Sequence, residues 1–248
     1  FAARNAIMAC DLAAEGIDGP RKIIEGEFGY LNLIEKGYHF GDLLSNLGKA
    51  WQITEVAHKP FPCGRATHGI VDCCLELRHD HNVDIYGIDF VTCYAPSLVH
   101  QLVGRRPKKS MMPNYDRLCG SYTAARALIH GTVDVTHYRP DKISEPIVHD
   151  LANRITIHID DNLNPNAFTP LTVTIKLKNG IDISVTPEFV LGHPSRPLSR
   201  EDHLAKFRLN CASARPSINE LQAEALIDRT DQLESEPDVS TLVDLMIA

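Results

Sequence analysis

Residues 170–190 read PLTVTIKLKNGIDISVTPEFV. Two alternating apolar and polar runs flank Lys178-Asn179-Gly180-Ile181. Alternation with a period of two belongs to a half-buried strand, and Asn-Gly between two such runs is a strong hairpin signal. The chain therefore builds antiparallel sheet in its second half. NRITIHID at 153–160 adds another strand, and VDIYGIDFVTCY at 83–94 a further one, with a slip in its alternation at Gly87 that predicts a bulge. WQITEVAHKPF at 51–61 also carries β-branched and alternating residues, and it predicts a strand ending at the prolines.

Helical patterns surround these strands. Residues 2–15 form one helix stopped by Gly16, Pro20 suits the first turn of a second, and 41–48 a short third, with irregular chain over the glycine-punctuated GEFGYLNLIEKG. In GRATHGIVDCCLELRHDHN (64–82) an apolar stripe of Ile70, Val71, Cys74, Leu75 and Leu77 lies near helical spacing. SLVHQLVG (97–104), LCGSYTAARALIHG (118–131, closed by Gly131) and DKISEPIVHDLANR (141–154) follow as helices, with the polar loop RRPKKSMMPN (105–114) among them. Ser199 and Asp202 resemble a capping box for the helix after GHPSRPLS, and the tail is helical with a break at Pro237. Helices, then a mixed block, then helices make an α+β organisation. We place an α/β unit at 50–198, with residues 1–49 and 199–248 belonging to an all-helical domain.

The 248 residues carry a formal net charge of −7 and seven cysteines. The acidic balance argues against nucleic acid or an anionic membrane as the main partner. No stretch of about 20 apolar residues is present to span a membrane. An odd, scattered set of cysteines reads as reduced thiols of a cytoplasmic protein. The chain opens inside an apolar helical pattern, without a capping residue ahead of Phe1 or an initiator Met, so we expect residues upstream.

Chemistry concentrates in KPFPCGRATHG, residues 59–69. Pro60 and Pro62 hold Lys59 and Phe61 extended. Gly64 permits a turn into the following helix, whose first N–H groups favour an anion. Lys59, Arg65 and His68 can add positive charge there. Asp72, four residues after His68, shares its helix face and can orient the ring. The bland alternative is a bent approach to a helix with solvated charges. A metal site from Cys63, His68, Cys73, Cys74, His79 and His81 is disfavoured, because no C-x-x-C spacing occurs. Tyr122, on a helix of small residues, reads as a packed core residue or as a hydroxyl projecting into a cleft. No phosphate-binding glycine loop and no nucleophile elbow is found; no cofactor is expected.

Several stretches in order, FAARNAIMACDLAAEGIDGP with IEGEFGY, WQITEVAHKPFPCGRATHGIVD, YDRLCGSYTAARALIHGTV and LGHPSRPLSREDHLAKF, together resemble the MmgE/PrpD family. The family includes 2-methylcitrate dehydratase, cis-aconitate decarboxylase and iminodisuccinate epimerase. The resemblance implies a large helical domain with a smaller α/β lid, an active site between them, homodimers, and no metal. It implies that this chain is the later half, lacking the first helical segments. It implies action on small di- or tricarboxylates by removal of a proton beside a carboxylate, followed by elimination, decarboxylation or epimerisation.

By the same resemblance Lys59 matches the lysine of the family's K-x-(F/Y)-P segment, and Tyr122 a tyrosine on the helix ending at Gly131. Arg4 falls where the decarboxylase has an active-site lysine, and Gly64 where it has a histidine. The second departure argues against decarboxylation of cis-aconitate. Lys59, His68 and Tyr122 are thus the candidate catalytic residues, with Arg4 and Arg65 as candidate substrate-binding residues. The alternative is a non-catalytic family fragment that folds or dimerises only.

Overall fold

In a computed structural model the described residues are 1–34, 40–108 and 112–247. The chain divides into two compact units, Phe1–Ile53 and Thr54–Ala248. The first carries helices α1 (Ala2–Ala14), α2 (Tyr30–Ile34) and α3 (Phe40–Ser45). The helix expected after Pro20 is replaced by turns over 21–25, and the irregular chain expected around 26–37 contains α2 and then passes outside the described residues. Apolar side chains here stand in solvent: Phe1, Ile7, Phe28, Leu33 and Leu47 are all exposed.

The second unit holds helices α4 (His68–His79), α5 (Ser97–Val103), α6 (Pro113–Asp116), α7 (Gly120–His130), α8 (Pro140–Ile143), α9 (Pro146–Ala152), α10 (Arg200–Ser213), α11 (Glu220–Asp231) and α12 (Ser240–Met246). Its strands are β1 (Ile88–Ala95), β2 (Ile155–Ile159), β3 (Thr172–Leu177) and β4 (Asp182–Val185), in the order β2-β1-β3-β4. β1 pairs parallel with β2 and antiparallel with β3, and β3 pairs antiparallel with β4. The fold is α+β with a mostly antiparallel sheet. The β3–β4 hairpin turns through Gly180, as the Asn-Gly signal requires.

Alternation decides the two faces of this sheet. Val91, Cys93, Val173, Ile175 and Val185 point inward and are buried. The opposite face is hydroxylated: Thr172 and Thr174 pair with Thr186 and Ser184 across the hairpin, each at 2.8 Å. α4 covers β3 and β4, and α7 packs between α4, α9 and β2. Ile70, Val71, Cys74, Leu77, Ala124 and Leu128 fill this layer without solvent exposure. α7 stops at Gly131, whose φ of 70° is left-handed backbone that glycine adopts without a Cβ penalty.

Two strand expectations are corrected. Residues 51–61 form no strand; a 3₁₀ turn, Gln52–Glu55, leads into extended chain without sheet partners. β-branched composition cannot make a strand where no neighbour offers a ladder. In 83–94 the first residues form a 3₁₀ turn, Ile85–Gly87, capped by Asp84 accepting from the Tyr86 amide; β1 begins at Ile88, and its register with β3 slips between Ile88 and Phe90. Ser199 caps α10 as expected, accepting from the Asp202 amide. The stretch 141–154 is two short helices, because Pro146 cannot continue α8 and instead opens α9.

Candidate active site

The segment before α4 is held at both ends. The His58 amide donates to the Gly192 carbonyl at 2.8 Å, and Lys206 Nζ on α10 donates to the Lys59 carbonyl at 2.5 Å. Beyond the prolines, the Gly64 amide donates to the Arg117 carbonyl at 2.8 Å, and Thr67 Oγ1 lies 2.8 Å from both Cys63 Sγ and the Gly64 carbonyl. Arg65–Thr67 then forms one 3₁₀ turn that runs into α4. The chain bends over 60–63, but Gly64 itself has extended backbone, φ −59° and ψ 139°, so the turn expected there does not depend on a glycine conformation.

Lys59 borders a cavity of about 500 Å³. Phe61, Val133, Leu191 and Leu209 give it apolar walls, and Lys206, Asp134, Asp202 and Asn210 add polar groups. Lys59 is exposed, and its ammonium has no ion pair among the described residues. Partial burial raises the Asp134 carboxyl, but hydrogen bonds from the Thr136 hydroxyl and amide outweigh this and hold it below the ordinary range. Two lysines face two aspartates across these walls, and because Lys206 already donates to the Lys59 carbonyl, Lys59 is the lysine left to meet an anion there.

His68 is closed to solvent. Phe61 meets its ring edge-on at 5.4 Å, Nε2 lies 3.4 Å from the Cys63 carbonyl, and Nδ1 has no partner. Burial lowers its pKa to about 4, and the positive charges of Arg65, Lys59 and Lys206 push the same way. At neutral pH the ring is an uncharged proton acceptor, not a cation. The orienting contact expected from Asp72 is not made. Asp72 Oδ2 instead accepts from Arg196 Nη1 at 2.5 Å and from the Leu191 amide at 3.0 Å. Arg65 is half-buried, with its guanidinium 6.0 Å from the Phe168 ring centre. Burial lowers its pKa while Asp72 raises it.

Tyr122 lies in the core with no exposure. Its hydroxyl donates to the Ile143 carbonyl at 3.0 Å and accepts from Arg126 Nε at 3.1 Å and Nη2 at 2.6 Å. Arg4 stands exposed on α1 in the first unit. Of these candidates only Lys59 lines the cavity; Arg65 and Lys59 act on His68 through their charge, His68 itself is closed off, and Tyr122 serves a separate buried network.

Sequence reading missed Lys206 and Arg126. Lys206 lies 147 positions from Lys59, and no spacing rule joins them. Arg126 is completely buried, paired with Glu145 at 2.6 Å and 3.1 Å from His130 Nε2. An arginine amid the alanines of α7 was the available signal for it, since a cation on an otherwise small, buried face requires a carboxylate.

One face of the sheet packs under α4 and α7, and two lysines and two aspartates line the cavity beside Lys59. The profile of the MmgE/PrpD C-terminal domain matches residues 61–232, and the chain belongs to that family. Among curated proteins it is 27% identical to a cis-aconitate decarboxylase of Mus musculus over 99% of this chain and 50% of that protein. It is 26% identical to the Homo sapiens cis-aconitate decarboxylase over 99% and 51%, and 22% identical to one of Aspergillus terreus over 99% and 53%. The chain thus spans about half the length of the curated relatives it matches.

Proposed function

We propose that this chain is the end of the helical domain, the lid and the returning C-terminal helices of a lyase or isomerase acting on a small di- or tricarboxylate. The observation that carries the reading is the cavity shared by Lys59 and Lys206, in a chain of this family. Lys59 holds a substrate carboxylate. A base takes the proton from the adjacent carbon, and the electron pair moves into the carboxylate as an aci-carboxylate, which the ammonium groups stabilise. Loss of a β-hydroxyl as water completes a dehydration of the 2-methylcitrate dehydratase type, and return of a proton to the opposite face completes an epimerisation. His68, neutral and cation-flanked, is a candidate proton acceptor, and Arg65 adds positive charge. Arg4 is the remaining candidate substrate-binding cation. For Tyr122, a hydroxyl occupied by Ile143 and Arg126 supports a positioning part over a proton transfer.

The relatives' names point to a lyase of a tricarboxylate, and cis-aconitate belongs in any test. Gly64 supports a different outcome from decarboxylation. A Cβ at this position would meet Leu118 Cδ2 at 2.8 Å, so a histidine here requires Leu118 to move. A homodimer in the cytoplasm goes with this reading. Among the described residues no helix is long and apolar enough to cross a membrane.

A second reading rests on the half-length match: a fragment that folds or dimerises without turnover. A panel of 2-methylcitrate, iminodisuccinate and cis-aconitate, offered to this chain and to a longer form with the family's helical segments, separates the two. Turnover by the longer form supports the enzyme reading, and turnover by neither form supports the fragment.

A further inference from the structure

A second cavity, of about 270 Å³, lies at the other end of α7. The Lys59 cavity includes Thr132 and Val133, just past the last residue of α7, whereas this one includes Ser121 in its first turn. Eleven helical residues separate the two, a rise of about 16 Å. The two cavities share no lining residue.

Its lining is basic. His100, Arg105, Arg106 and His158 converge there with Ser121, Asn153 and Thr156, and no carboxylate lines it. In a chain of net charge −7, such a pocket is a local reversal of sign. Arg105 is set in place from three directions. One guanidinium nitrogen donates to the Leu102 carbonyl at 3.0 Å, the group lies 5.2 Å from the Tyr115 ring centre, and its own carbonyl accepts from Cys119 Sγ at 3.2 Å. A guanidinium carries five N–H donors, so most of the fork remains available. The Arg106 side chain has no hydrogen bond or ion pair among the described residues, while its carbonyl is fixed by Tyr115 Oη at 2.8 Å. Two adjacent arginines with restrained backbones can take a planar oxyanion in bidentate fashion.

We propose that this pocket is a binding site for a compact multivalent oxyanion, a phosphate group or a small oligocarboxylate, separate from the Lys59 cavity. Its volume admits such an ion but not an extended polymer, and stacked aromatics for bases are absent from the lining. Arg105 and Arg106 supply the forks, and Ser121, Asn153 and Thr156 supply neutral donors.

Calorimetric titration of the 248-residue chain with inorganic phosphate, and separately with citrate, tests this. We expect at least one of the two to bind with Kd below about 1 mM at low salt. The Arg105→Ala/Arg106→Ala variant is expected to weaken that binding at least tenfold, with Lys59→Ala leaving this event unchanged. Because Arg105 also packs on Tyr115, Arg106→Gln alone is measured beside it, with the far-ultraviolet dichroism of each variant; a loss of threefold or more in that variant supports the site. Whichever anion binds identifies the chemistry. Absence of binding by both anions to 10 mM, or binding that survives the arginine variants and Lys59→Ala alike, or binding that only Lys59→Ala removes, overturns the proposal. None of these outcomes depends on turnover, so failure here is distinct from failure of the lyase or isomerase reading.

Discussion

Asp72 on α4 pairs with Arg196, 124 positions later, at 2.5 Å, and the same carboxylate oxygen accepts from the Leu191 amide. The pair ties α4 to the 190–196 loop, and that loop in turn holds the segment carrying Lys59 through the bond between His58 and Gly192. Asp72 is 6% exposed and Arg196 41% at the side chain. Arg196→Ala strips a nearly buried carboxylate of its cation, but the open side of the pair screens the loss. We expect a cost of about 1–2 kcal/mol, below the range for fully buried pairs. Thermal denaturation should show a fall of roughly 2–8 °C; an unchanged Tm removes the pair from the stability of this unit.

Gly192 turns the same loop through left-handed backbone. Its φ is 89°, and a Cβ there would fall on the His58 carbonyl oxygen. Gly192→Ala combines an unfavourable left-handed backbone with that clash, and a cost of about 2–4 kcal/mol is expected. The variant should also speed amide exchange at His58, because its bond to Gly192 must lengthen. Exchange at wild-type rates contradicts this linkage.

Lys59→Ala in the longest natural form should abolish turnover with less than about 0.5 kcal/mol of stability change, because the side chain borders a cavity and is exposed. Unchanged kcat/KM removes Lys59 from the mechanism.

His68 and Asp116 give the fold opposing acid responses. His68 is held near 4, below its ordinary 6.5, chiefly by burial. As pH falls from about 6.5 towards 4 the unfolded chain takes up a proton that the folded chain refuses, so stability falls by up to about 3 kcal/mol. Asp116 has neither carboxylate oxygen hydrogen-bonded, and burial raises it to about 6, with His149 and Arg126 acting against that rise. Here the folded chain keeps a proton the unfolded chain has lost, so this stabilisation is full below about 4 and disappears as pH rises through about 6. Asp116→Asn should therefore raise stability at pH 7 by on the order of 2 kcal/mol and steepen the loss on acidification left by His68. Urea unfolding at pH 5 and pH 7 measures both effects; equal stability of variant and wild type at pH 7 refutes the Asp116 assignment.

Tyr122→Phe deletes the acceptor of two Arg126 donors inside the core. A cost of about 1–3 kcal/mol is expected from the unpaired guanidinium nitrogens. Its catalytic candidacy is decided at a temperature where the variant stays folded: full turnover there leaves Tyr122 a positioning residue of α7.

Local chemistry was legible in the residues alone. The Asn-Gly turn set the β3–β4 hairpin, Gly131 closed α7 and Ser199 capped α10, because each acts through its own backbone or its near neighbours. The α+β class followed from the change of hydrophobic period along the chain. The tertiary structure decided everything that depends on a distant partner. WQITEVAHKPF has strand composition but no adjacent ladder, so it folds as a 3₁₀ turn followed by chain outside the sheet. His68 and Asp72 share a helix face, yet Asp72 pairs with Arg196 from the 190–196 loop. Lys206 reaches Lys59 only when α10 folds back, and Arg126 requires Glu145 from the chain beyond α8. A side chain's neighbours within a few residues are fixed by backbone geometry, whereas its burial, and with it the charge of His68 and Asp116, exists only once the layers close.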